Sequence, residues 1–160
     1  MSKNPDPCES LMLDNQLCFA LHSTSLLMTK VYKPLLQALG LTYPQYLAMM
    51  VLWEEDGLTV VEISNRLLTD PGSLTPLLKR LEQLSLVRRQ RSAKDEREVH
   101  LSLSETGVQL RDQTHGLKTR LLRDSGIDLH QADALREGLD QLLRQIRDLS
   151  SSAPTAPASH

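Results

Sequence analysis

Apolar residues recur along the chain with two different periods, and the change of period divides it. Leu13, Leu17, Ala20, Met28, Val31 and Leu35 fall in steps of three and four, with Thr24 completing the row. That spacing is one stripe of a long helix. Pro34 is expected to kink or restart it, and Gly40 to end it. Thr42 and Gln45 then stand three apart with Pro44 between them, the pattern of a capping box opening a helix that runs to about Glu54. Thr59 and Glu62 repeat the device and start a short helix through about Leu68.

Thr69-Asp70-Pro71-Gly72 reads as a turn, with Ser73 as the expected cap of the next helix. Leu74, Leu77, Leu78, Leu81 and Leu84 give that helix its apolar side, and Pro76 is expected at its third position. Beyond Leu86 the period becomes two. Val99, Leu101 and Leu103 alternate with Glu98, His100 and Ser102, which is a half-buried strand. Residues 86–91 are its expected partner and residues 92–96 the hairpin loop. This hairpin is the one clear β signal. Ser104 caps a helix expected to run to about Asp124, and Gly126 breaks it. Ala132, Leu135, Leu139, Leu142, Ile146 and Leu149 then form a heptad seam. Residues 1–12 read as a flexible arm. Residues 150–160, rich in Ser, Ala and Pro, read as a disordered tail.

Two short helices across a tight turn, followed by a basic hairpin, make the winged helix-turn-helix pattern. The predicted fold is therefore mainly α. It consists of a winged helix-turn-helix with a two-stranded β wing, flanked by long N- and C-terminal helices. The folded part spans residues 13–149, with a DNA-binding lobe at about 42–104. The second short helix would enter the major groove, placing Ser73, Thr75, Lys79 and Arg80 toward base edges and phosphates. The wing would bring Arg88, Arg89, Arg91, Lys94, Asp95 and Arg97 to the adjacent groove. On pattern alone, a hairpin capping a helical bundle with no ligand stays open. The outer helices carry more apolar stripe than one small lobe covers. They could pack on each other, but a homodimer reading an inverted-repeat operator is the preferred expectation.

Composition sharpens this in three ways. The chain has 33 Leu against 7 Val and 3 Ile, which favours helix over strand. Its net charge is −2, yet residues 79–97 hold seven basic and three acidic side chains, leaving −6 for the rest. A local anion-binding face follows, unless the run is merely a solvated surface. The longest apolar run, residues 47–53, has seven residues, where a membrane span needs about 20. No membrane span is expected, and the polar first ten residues point to a cytoplasmic protein. Two cysteines make no disulfide framework, no Cys/His cluster suggests zinc, and no cofactor is implied.

Residues 72–82 (GSLTPLLKRLE) resemble the recognition helix of the MarR-type repressors. Asp95-Glu96-Arg97 with residues 99–104 (VHLSLS) resembles their wing and exit strand. Residues 13–21 (LDNQLCFAL) and 40–47 (GLTYPQYL) look like the organic-hydroperoxide sensors of that family, the OhrR type. The resemblance implies a homodimeric repressor that binds double-stranded operator DNA and is inactivated when one cysteine per subunit is oxidised by an organic hydroperoxide. On that pattern Cys18 is the reactive residue and Tyr32 and Tyr43 are its hydrogen-bonding partners. Tyr32 lies 14 residues beyond Cys18 on one helix, about 21 Å at 1.5 Å per residue. A phenol cannot span that, so any contact must come from the other subunit.

Taken alone, Cys18 between Leu17 and Phe19 reads as a core residue. The chain departs from relatives that carry a second, resolving cysteine after the wing, since its only other cysteine is Cys8 in the arm. An oxidised Cys18 would be resolved by a low-molecular-weight thiol, by Cys8, or not at all. A MarR-type regulator responding to a bound phenolic ligand would not need Cys18. A thiol peroxidase would leave the basic wing without a purpose.

Overall fold

The structure is a computed structural model and describes residues 11–92 and 98–152. The arm up to residue 10, the wing-tip residues Lys94, Asp95 and Arg97, and the tail from 153 lie outside the described residues. The chain forms two compact units that divide between His115 and Gly116.

The first unit opens with one 3-10 turn, Leu13–Asn15, and then α1, Leu17–Ala38. Pro34 lies inside α1, so the expected restart does not occur and one helix carries both Cys18 and Tyr32. Helix α2 (Tyr43–Glu54) starts as expected: the Thr42 N–H donates to Gln45 Oε1 at 2.8 Å. It is buried on most of its sides, including Ala48, Met49 and Leu52. Helix α3 (Val60–Leu67) has its predicted box, with Thr59 N–H donating to Glu62 Oε2 at 2.7 Å and Glu62 N–H to Thr59 Oγ1 at 3.2 Å.

Helix α4 (Pro71–Gln83) begins earlier than the sequence suggests. Asp70, not Ser73, is its cap: Asp70 Oδ1 accepts the Ser73 N–H at 2.8 Å. Pro71 holds the first position, where a missing N–H costs nothing. Pro76 is consequently the sixth residue rather than the third. Its absent N–H leaves the carbonyl of Gly72 unbonded within the helix, and Gly72 is exposed, so water can serve it. Leu68, at φ 54°, takes the left-handed conformation that folds α3 tightly back toward α4. Leu74, Leu78 and Leu81 of α4 are buried, each stabilising the fold by roughly 1.5–3 kcal/mol relative to exposure. They pack with α2 and α3.

Strands β2 (Val87–Arg91) and β3 (Val99–Leu103) form the antiparallel wing, with Arg89 opposite Leu101. A third strand, β1 (Leu58–Thr59), pairs with β3 on its other edge, so the sheet has three strands. Asp56 secures that edge: its Oδ1 accepts the N–H of Leu103 at 2.7 Å and of Gly57 at 2.9 Å. Helix α5 (Glu105–Thr114) is capped by Ser104, whose Oγ accepts the Gly107 N–H at 3.0 Å.

The helix expected to reach Asp124 stops at Thr114. Gly116, at φ 78°, starts the second unit, which holds α6 (Leu117–Asp124) and α7 (Leu129–Ser152). Helix α7 carries the predicted heptad seam and continues three residues into the segment read as a tail. Along it Leu135, Leu139, Leu143, Ile146 and Leu149 are exposed, Leu149 at 71%. Among the described residues no single helix is long and apolar enough to cross a membrane.

Candidate DNA-binding face and thiol site

Helix α4 and the wing place most of the predicted cationic residues on the surface. Lys79, Arg80, Arg88 and Arg91 are exposed, and Arg80 Nη1 donates to Gln83 Oε1 at 3.2 Å. Arg89 differs. It shares a sheet face with buried Leu101, its side chain is 22% exposed, and its Nη1 lies 4.0 Å from Glu82. Its Nε is buried with no hydrogen-bond partner among the described residues. Arg89 therefore braces β2 against α4 more than it faces outward.

Ser73 and Thr75 are also committed locally. The Ser73 hydroxyl donates to Asp70 Oδ2, and the Thr75 hydroxyl donates to the Pro71 carbonyl at 2.8 Å. Their oxygens remain available as acceptors. The Ser73 hydroxyl and N–H hold the Asp70 carboxyl below the usual carboxylate range. The mouth of α4 thus presents a carboxylate, and its positive charge comes from Lys79 and Arg80, further along. A groove of about 700 Å³ separates α4 from the wing, lined by Thr59, Glu62, Pro71, Thr75, Arg89 and Val99. The Thr59 N–H and hydroxyl hold Glu62 ionised there.

The wing root is fixed by polar contacts that the sequence pattern does not display. His100 Nδ1 lies 3.1 Å from the Gly57 carbonyl, and Glu98 is 3.5 Å from its Nε2. The first contact, with Glu98 adding to it, raises the His100 pKa.

The second candidate site lies on α1 and α2. Tyr32 and Tyr43 meet with ring centroids 5.2 Å apart. Tyr46 joins them, 6.2 Å from Tyr32, and Trp53 stands edge-on to Tyr46 at 6.1 Å. Trp53 Nε1 donates to the Gly107 carbonyl at 2.9 Å, tying the cluster to the first turn of α5. Burial, then the neighbouring Tyr43 and Tyr46, push the Tyr32 phenol up; burial, then Tyr43, do the same for Tyr46. Both stay protonated at neutral pH and remain donors. Tyr46 and Trp53 escaped the sequence reading. Their spacing of seven, two helical turns, was the available signal.

Cys18 is not with them. It is the second residue of α1 and exposed. Around it Leu11, Met12, Leu13 and Leu17 are exposed by 56–82%. Within one chain the thiol and the phenol pair are about 21 Å apart along an unbroken helix. No group of three or more His, Cys, Asp or Glu among the described residues could hold a metal ion.

Residues 30–114 match the family model described as "Transcriptional regulator SarA/Rot". The chain is 45% identical over 140 residues to the organic hydroperoxide resistance transcriptional regulator of Bacillus subtilis (strain 168), covering 86% of this chain and 95% of the relative. The chain belongs to the SarA/Rot family of MarR-like winged-helix regulators. It is also 42% identical to the HTH-type transcriptional regulator TtmR of Methylorubrum extorquens (strain PA1), over 92% of this chain and 76% of that one. Among solved structures, overoxidised AbfR bound to DNA, a Staphylococcus epidermidis protein, superposes with a TM-score of 0.71 at 32% identity. That match covers 88% of this chain and 99% of AbfR.

This SarA/Rot regulator is thus a DNA-binding transcriptional regulator and not an enzyme. The matched segment runs from the second half of α1 to the end of α5. It contains the helix-turn-helix, the wing, Tyr32 and Tyr43, and it leaves Cys18 outside.

Proposed function

We propose that this regulator is a homodimeric repressor that releases an inverted-repeat operator when an organic hydroperoxide oxidises Cys18. The observation that carries the reading is the separation just described. The thiol sits exposed at one end of α1 amid exposed leucines, while a phenol pair waits near the other end. A second copy running antiparallel would bring Cys18 of one subunit to Tyr32 and Tyr43 of the other. It would also cover the apolar residues around Cys18 and the exposed seam of α7. The 45% identity to a hydroperoxide resistance regulator supports the same inducer class.

In this mechanism the phenols hydrogen-bond the Cys18 sulfur. The thiolate attacks the terminal peroxide oxygen, the O–O bond breaks, and the alkoxide leaves as the alcohol after taking a proton; Cys18 becomes a sulfenic acid. A low-molecular-weight thiol would then form a mixed disulfide with release of water. The added group disturbs the shared site, and because that site joins the subunits, the spacing of the two α4 helices changes with it. Ser73, Thr75, Lys79 and Arg80 of α4, with Arg88 and Arg91 of the wing, are the assigned DNA contacts, while Arg89, expected among them, braces β2 against α4 instead. Lys94, Asp95 and Arg97 extend that assignment into the wing tip.

The test is a gel shift. An operator duplex is selected from a random pool with the reduced protein, then titrated with and without cumene hydroperoxide. Oxidation should weaken binding by roughly 5- to 150-fold, the usual span of allosteric coupling. A reducing thiol should restore it. Release by a phenolic acid under reducing conditions, with no effect of peroxide, would falsify the redox reading.

A further inference from the structure

A short run of contacts within the first unit joins the phenol pair to the root of the wing. Tyr32 of α1 meets Tyr43 and Tyr46 of α2. Two helical turns further along α2, Trp53 stands edge-on to Tyr46 with ring centroids 6.1 Å apart. Edge-to-face packing sets the angle of both rings, because the positive edge of one lies against the negative face of the other. Tyr46 is buried, so its ring cannot turn aside into solvent. Trp53 Nε1 donates to the Gly107 carbonyl at 2.9 Å, a side-chain hydrogen bond that joins α2 to α5. Gly107 has no slack. A Cβ there would overlap the Leu86 carbonyl oxygen, and Leu86 immediately precedes β2. Ser104, immediately after β3, holds the same point: its N–H donates to the Leu86 carbonyl and its Oγ accepts the Gly107 N–H, both at 3.0 Å. The roots of both wing strands therefore meet at the hydrogen-bond partner of Trp53.

We propose that Trp53 is a positioning residue that carries the state of the phenol pair to the wing. The proposal rests on the redox reading above for its input and goes beyond it by naming the route. A disturbance at Tyr32 and Tyr43 moves the Tyr46 ring, that ring moves the indole, and the indole N–H pulls on the Gly107 carbonyl. Leu86 and Ser104 enclose Gly107, so the shift passes into the strand roots instead of being absorbed. A rival route is the packing of α2 on α4. That packing is apolar and non-directional, whereas the indole bond weakens steeply with angle and responds first.

The test is Trp53→Phe, which keeps a ring beside Tyr46 and removes the N–H. Stopped flow gives the rate of Cys18 oxidation by cumene hydroperoxide, and gel shifts give operator affinity before and after oxidation. The oxidation rate and the reduced-state affinity should hold. The ratio of affinities should fall by roughly 2- to 30-fold, the span for residues that modulate coupling without touching either ligand. A merely structural Trp53 would do the reverse, lowering reduced-state affinity and leaving the ratio intact, and that result would overturn the proposal. Tyr46→Leu breaks the run one step earlier and keeps the indole bond. Its ratio should fall as well, and the double variant should be no worse than the poorer single one, because a serial link breaks only once. Additive losses, or a native ratio in either single variant, would assign the signal to the α2–α4 packing instead. Trp53 is the only tryptophan, so its emission reports on this position alone. Titrating reduced Cys18→Ser protein with operator should change that emission with the midpoint of the gel shift, because coupling is reciprocal, and a scrambled duplex should not. This arm does not use the thiol. If peroxide fails to release the native protein while emission follows operator, the redox reading falls and the link stands. Emission indifferent to operator would overturn the link.

Discussion

Cys18→Ser protein should bind operator with native affinity and stay bound after hydroperoxide treatment. The substitution removes one sulfur from the start of α1, far in sequence from α4 and the wing, and puts an isosteric hydroxyl at an exposed position. A serine hydroxyl is not a nucleophile toward peroxide at neutral pH, so the oxidation step is lost while the fold is untouched. The expected ratio of affinities before and after peroxide falls from roughly 5–150 to about one. Cys8→Ser should keep the native ratio. Full release of the Cys18→Ser protein by peroxide would instead transfer the sensor role to Cys8. Gel shifts with the two single variants and the double variant separate these cases.

Gly107→Ala should destabilise the first unit by about 3 kcal/mol or more, measured by urea unfolding. A Cβ there would overlap the Leu86 carbonyl oxygen and stand 3.1 Å from its carbon. Neither group can step aside. The Leu86 carbonyl accepts the Ser104 N–H at 3.0 Å, and the Ser104 hydroxyl donates to the Ser85 carbonyl. The Gly107 backbone is held on both sides, its N–H to Ser104 Oγ and its carbonyl to Trp53 Nε1. The methyl would therefore pry α5 from the root of the wing and pull on the Trp53–Tyr46 contact together. Gly138→Ala is the control. It lies within α7 with nothing within 4 Å of the added Cβ, and should gain up to about 1 kcal/mol from helix propensity. Similar small changes for both would show that the close approach at Gly107 is not a constraint.

The features legible in the sequence were those written as reciprocal local signals. Thr42 with Gln45, and Thr59 with Glu62, each mark a helix start twice, and both boxes form. The alternation through Val99, Leu101 and Leu103 placed β3 because a strand with one buried face must alternate. Signals failed where two residues could serve one role. Asp70 and Ser73 are both good caps, and Pro71 at the first helical position was the cue that favours Asp70. Strand β1 has two residues, too few for any period; it exists because β3 offers an edge and Asp56 ties the loop to it. The break at His115-Gly116 did have a signal in the sequence: Thr114 and His115 are weak helix formers, and Gly116 takes φ 78°, a conformation that glycine adopts freely.

At the sites, charge placed Lys79, Arg80, Arg88 and Arg91 on the surface as expected. It could not show that Arg89 turns inward, which depends on its register opposite Leu101. The distance from Cys18 to Tyr32 needed only a helix of known rise. The meeting of Tyr32 with Tyr43 and Tyr46 needed the fold, since it joins two helices.

The shared site is tested most directly by a heterodimer in which every chain also carries Cys8→Ser. One chain has Cys18→Ser; the other has Tyr32→Phe and Tyr43→Phe. Its single thiol belongs to the chain lacking both phenols and faces the intact phenols of the partner. Stopped-flow oxidation of that thiol by an organic hydroperoxide should proceed at the native rate if the site is built from two subunits. A rate as slow as that of the homodimer lacking both tyrosines would contradict the shared site, and with it the account of how oxidation reaches the DNA-binding helices.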